Sequence, residues 1–172
     1  MRIAVVAAAA LAGAVFLVAC VERKPTTAAF SVEEAAFIKK SGTAIITGHA
    51  FRTKPSGVVV NAAGEVVRLL PATTFARERF HNLYGSRKYL PHREYPRDDK
   101  PDPAYAEYTR TVKAESNGRF AFENVAPGEY FVVTQVIWGD ESALFREGGT
   151  VYDIVTVTGK EKEPIQVILS GN

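Results

Sequence analysis

The chain has 172 residues, 47% of them hydrophobic and 23% charged, with a formal net charge of +2. That suits one domain of ordinary size, too apolar for a disordered chain and too mixed for a multispan membrane protein, and the near-neutral charge gives no global reason to expect nucleic acid as a partner. The single cysteine rules out a disulfide within the chain and a zinc site built from several thiolates.

Met1 and Arg2 set a positive charge ahead of residues 3–19, which carry none. This reads as a secretory signal peptide. An uncleaved membrane anchor competes with it; the many alanines and a length just short of a usual span count against the anchor. The run ends in Leu17-Val18-Ala19-Cys20: an aliphatic residue, a tolerant position, a small residue and the only cysteine. That tetrad resembles the lipobox of bacterial lipoproteins. The resemblance implies cleavage after Ala19 and lipidation of Cys20, with a further acyl chain such as palmitate, and two or more chains anchor stably. Val21 stands where many Gram-negative lipoproteins carry a retention aspartate, so the expected location is the cell envelope, with the outer membrane favoured where one exists. Residues 20–30, with charge, proline and threonine and no apolar period, read as a tether.

The domain is expected over 31–172. Ser31 and Glu34 form a capping-box pattern ahead of Ala35, Ala36, Phe37 and Ile38, which predicts a short helix over 32–40. Strand character follows over 43–52, with Gly48 as a bulge or a point of close approach. Residues 55–57 turn, 58–60 form a short strand, 61–64 turn again, and 66–70 form a strand ending at Pro71.

The centre, 72–104, reads as an insertion. From Thr73, the residues Phe75, Ala76, Phe80, Leu83 and Tyr84 share one side of a helical wheel, and Gly85 suits the position after the last turn. Residues 85–104 hold Pro91, Pro96, Pro101 and Pro103, too many for regular helix or a central strand. Strand character is expected again over 105–115, then a tight turn at 116–118 and a β-hairpin into 119–122. Residues 130–138 are apolar at nearly every position, the mark of a strand buried on both faces. A polar loop over 139–148 and strands over 150–158 and 164–169 complete about eight short strands. Trp138 reads as core or as part of a loop-end surface.

The stretch from Glu115 to Tyr130 carries a specific pattern. Gly118 serves a turn, Phe120 and Phe122 share one face, and Val125, Pro127, Gly128 and Tyr130 form a corner. It resembles the signature of carboxypeptidase regulatory-like domains, which are transthyretin-like (prealbumin-type) β-sandwiches. The resemblance implies an all-β, antiparallel sandwich, here with a short N-terminal helix and a helix-plus-proline-rich insertion. It says almost nothing about function.

Chemistry is sparse. None of His49, His81 or His92 opens the His-x-x-Glu motif of the zinc peptidases. The chain ends Leu169-Ser170-Gly171-Asn172, unlike the Tyr-Arg-Gly-Ser ending of transthyretin-like ureide hydrolases. A nucleophile elbow, a phosphate loop and a dinucleotide fingerprint are all missing. His81, His92, Asp98, Asp99 and Asp102 match no zinc or calcium spacing. The expectation is a protein without catalytic, metal or cofactor sites. The insertion is the candidate binding surface: Tyr84, Arg87, Lys88, Tyr89, Arg93, Tyr95 and Arg97 interleave cations and aromatics, a composition common at interface anchors. A second reading has these tyrosines folding back onto the sandwich. The expected role is a non-catalytic envelope lipoprotein that binds or assembles with an envelope protein; the alternative is a carbohydrate-binding module, since aromatic rings stack on sugars.

Overall fold

A computed structural model describes residues 24–96, 102–139 and 146–171. Ala19, Cys20, Arg97, Asp98 and Asp99 lie outside the described residues. Among the described residues, nine strands make two sheets packed face to face. Strand β1 (Ser41–Thr53) is the spine of the first sheet. It pairs antiparallel with β6 (Arg119–Val125) and, at its end, with β2 (Val59–Asn61). On its other edge β9 (Ile165–Leu169) runs parallel to it, while the other strand pairs among the described residues are antiparallel. The second sheet has the order β4-β8-β7-β3-β5. Its centre is the long pair β7 (Gly128–Trp138) and β8 (Glu147–Val157), flanked by β3 (Val66–Pro71) and β5 (Arg110–Lys113) on one side and β4 (Tyr89–Pro91) on the other.

Period-two alternation explains the layers. Ile46, Ala50, Phe120 and Phe122 face inward from the first sheet; Val67, Leu69, Tyr130, Val132 and Val136 meet them from the second. Gly48 lies on this inner face at a point of close approach: a Cβ there would overlap the Phe120 ring and reach Val167. The register shifts of β1 fall earlier, between Ser41 and Ile46. β7 is largely buried on both faces, as its nearly continuous apolar run predicts. Its second face carries Phe131 into a separate cluster with helix α2 (Thr74–Tyr84), which presents Phe75, Ala76, Phe80, Leu83 and Tyr84. Phe80 stacks on Phe131 with ring centres 4.0 Å apart. Arg77 clamps the helix to the start of β7 through both carboxylate oxygens of Glu129.

Several expectations need correction. The helix predicted over 32–40 is one α-turn, α1 (Val32–Ala35), followed by a 3-10 turn (Ala36–Lys39). Ser31 accepts the Glu34 N–H at 3.2 Å, but the Glu34 carboxylate reaches away, accepting the Thr74 N–H at 2.7 Å at the start of α2. There a negative charge meets the positive end of the helix dipole. The insertion is more ordered than its prolines suggest. Its β4 joins the sheet edge beside β8, with Leu90 fully buried and Pro91 closing the strand, a position an edge tolerates. Residues 105–107, expected as the start of a strand, lie instead in helix α3 (Pro103–Glu107). Asp102 caps it through the Ala104 N–H, and Pro103 occupies the first turn, where no N–H is missed.

The turn at 116–118 exists, with Gly118 at φ 78° and its N–H donated to the Glu115 carbonyl. It does not close a hairpin. β5 pairs with β3 in the second sheet and β6 with β1 in the first, so the turn carries the chain across the sandwich. The corner at 125–130 crosses back. Val125 and Tyr130 plug the same end of the core, and the Tyr130 hydroxyl donates to the Ala126 carbonyl at 2.7 Å.

The presumed tether is docked over its second half. Thr27 donates its N–H and hydroxyl, and Ala28 its N–H, to the Glu78 carboxylate on α2. Asn82 donates to the Pro25 carbonyl. Phe30 packs edge-on against Phe75 and Tyr105, with centres 5.9 and 5.7 Å apart. Among the described residues, no helix is long and apolar enough to cross a membrane.

Candidate functional site

Helix α2 covers only part of the outer face of the second sheet. Outward positions alternate along β7: Phe131 is buried beneath the helix, while Val133 and Gln135 remain partly open. In the same surface, Arg68 of β3 stands opposite Val133 on one side and Thr111 of β5 on the other, and Gln135 stands opposite Thr150 of β8. These residues floor a cavity of about 410 Å³. Arg79, Phe80, Leu83 and Tyr84 of α2 form one wall; Tyr105, Ala106 and Thr109 of α3 and its exit form the facing wall, and Tyr95 completes the lining. The volume falls within the range of small-molecule sites.

The lining is mostly aromatic and apolar, with a few directed polar groups. Arg79, itself buried, donates to the Tyr95 hydroxyl at 3.3 Å. Burial pushes the Tyr84 phenol well above its usual range, so it remains a neutral hydroxyl at physiological pH. Threonine hydroxyls and the Gln135 amide offer donors and acceptors; the arginines add donors alone. The described lining contains no histidine, cysteine or carboxylate, the groups that supply most general bases and nucleophiles. Aromatic faces beside bidentate polar groups are suited to holding a polyhydroxylated ring, with its C–H faces on the tyrosines and its hydroxyls on the amide, hydroxyls and guanidinium groups. Among the described residues, no three His, Cys, Asp or Glu form a group that could hold a metal ion.

The sequence-predicted residues are not gathered on one face. Tyr84 and Tyr95 line the cavity. Arg87 pairs with Glu94 at 3.1 Å and Lys88 with Asp153 at 2.7 Å, so both cations hold carboxylates at the surface. Tyr89 lies under the Arg52 guanidinium at 4.0 Å and donates to the Gly148 carbonyl. Arg93 is exposed on the 3-10 turn His92–Glu94 and is not part of the cavity lining. A wider, open hollow of about 840 Å³ beside the end of α2 takes Lys24, His81 and Arg87 instead. Trp138 is partly buried at the rim of the core, its indole N–H donated to Glu147 at 2.9 Å. Sequence reasoning missed Arg68, Thr111 and Gln135. The available signal was a charge in the middle of the Val66–Pro71 run and an amide in the middle of β7.

No protein-family model matches the chain, and no curated protein sequence matches it. Among solved structures, it is similar to the crystal structure of a candidate carbohydrate-binding protein from Pseudomonas aeruginosa. The TM-score is 0.66 and the identity 29%, with 82% of this chain and 97% of that one covered. An all-β sandwich is the fold of this chain, consistent with that likeness.

Proposed function

We propose that this protein is a non-catalytic saccharide-binding module of the cell envelope, tethered by a lipid on Cys20. The observation that carries the reading is the cavity between α2, α3 and the second sheet, with three tyrosines, two arginines and an amide around a space of ligand size. The likeness to a candidate carbohydrate-binding protein supports it. The corner over 115–130 supports membership of the carboxypeptidase regulatory-like group of sandwiches, which fits a binding role and requires no catalytic residues.

The test is calorimetric titration of the full-length protein with glycans that first score on an array. Tyr95→Ala removes a ring from the lining and should weaken binding about tenfold, the equivalent of roughly 1.4 kcal/mol. Gln135→Ala should weaken it by a similar factor, and Arg93→Ala, outside the cavity, should leave it unchanged. Binding unmoved by both cavity variants would sink the assignment. Capture of one envelope protein at full strength by the Tyr95→Ala variant would favour an assembly role instead.

A further inference from the structure

The charge of the cavity's described lining is one-sided. Arg68 and Arg79 line it, and its described wall has no carboxylate. Arg79 already spends a donor on Tyr95. Arg68 is placed differently. It stands exposed in the middle of β3, between neutral Thr111 and Val133. Its side chain makes no hydrogen bond or ion pair with another described residue. Nearby cations outside the cavity do hold carboxylates: Arg77 holds Glu129, Arg87 holds Glu94 and Lys88 holds Asp153.

The position is also unusual for its residue type. Outward sites on a strand paired on both sides favour β-branched or aromatic side chains, and the outward neighbours of Arg68 on β3, Val66 and Leu70, are both apolar. A guanidinium here leaves a planar fork of donors over the cavity floor, the geometry that matches a carboxylate through two parallel hydrogen bonds. Resting on the saccharide-binding reading, we infer that the occupant is an acidic saccharide whose carboxylate is taken by Arg68. Its ring lies against the tyrosines of the wall, and Gln135 meets its hydroxyls. Arg68 thereby sets selectivity for charge, and the aromatic wall supplies affinity common to neutral and acidic sugars.

The experiment titrates the full-length protein with a panel of uronate oligosaccharides, each paired with its carboxyl-reduced, neutral counterpart. The acidic member of at least one pair should bind ten-fold or more tighter than the neutral one, and the margin should shrink with added salt. Arg68→Gln should abolish the margin, costing the acidic sugar at least ten-fold more affinity than it costs the neutral one; Arg68→Lys should restore part of it. Circular dichroism of each variant checks that the sheet is intact. Equal affinity for both members of every pair, or a margin that survives Arg68→Gln, overturns the inference. If both sugars weaken with Tyr95→Ala while Arg68 is without effect, saccharide binding stands and only charge selectivity falls. If no member of the panel binds, the inference fails, and failure of neutral glycans on the array would take the saccharide reading with it.

Discussion

At the scale of single residues, Tyr130 ties core packing to the turn between the sheets. It fills one end of the core, meets the Phe37 ring at 5.2 Å and ties its hydroxyl to the Ala126 carbonyl where the chain turns between sheets. Tyr130→Phe keeps the ring and strands a buried acceptor, so it should cost about 1–2 kcal/mol in urea denaturation. Burial pushes the phenol up to about 12. A phenol raised above its unfolded value of about 10 gives stability that is whole below pH 10 and is lost as pH rises through the folded value. The parent should therefore weaken over pH 10–12, and Tyr130→Phe should flatten part of that alkaline decline. Buried Tyr84, raised in the same direction, accounts for a part that remains. An alkaline limb identical in parent and variant would remove Tyr130 from this account.

At the scale of elements, α2 organises one whole side of the molecule. Its inner face covers the sheet, its N-terminus takes Glu34, and its outer face carries Glu78, which receives the N-terminal segment. The N–H groups of Thr27 and Ala28 hold the Glu78 carboxyl below its ordinary value. A depressed carboxyl supports docking above the unfolded value and loses that support as pH falls through the folded one. The Thr27 and Ala28 amide resonances should titrate together, with a midpoint below that of an unpaired glutamate, and Glu78→Ala should shift both to positions typical of unstructured chain. Amides that ignore both acid and substitution would show that the segment docks by other means.

Reading these elements from sequence succeeded where period alone decides. The wheel of α2 and the two-faced burial of β7 are properties of local pattern. Failures lie where a distant partner decides. β4 is three residues held by Leu90 and by its pairing with β8, a weak signal amid charge and proline. Ser116-Asn117-Gly118 makes the same turn whether its strands pair or diverge, so the crossing between sheets is invisible to it. The site divides in the same way. Tyr84 and Tyr95 come from an aromatic-rich segment and could be named in advance. Arg68 and Gln135 matter only because α2 ends its cover short of them, which no local pattern records.

At the scale of the whole molecule, the docked segment would set how far the sandwich stands from a lipid on Cys20. Pro25 lies at Asn82, Thr27 at Glu78 and Phe30 at Phe75, so the chain runs antiparallel to α2 and leaves near its C-terminal end. Five residue steps separate Cys20 from Pro25. At full extension these span on the order of 18 Å, about half the greatest reach of a free ten-residue tether. If Cys20 carries lipid, the α2 side must face the bilayer closely, and the opposite face, where Ile168 is exposed on the first sheet, must face away. Single-cysteine reporters test both halves of this. Metabolic labelling with a fatty-acid analogue should mark the parent and spare Cys20→Ser. In vesicles, a bulky maleimide should react several-fold more slowly with His81→Cys in the lipidated chain than in the unlipidated one, and equally fast with Ile168→Cys in both. Labelling of Cys20→Ser would refute the anchor. Equal rates at His81→Cys, with the anchor intact, would mean that the segment undocks and the domain stands free of the surface.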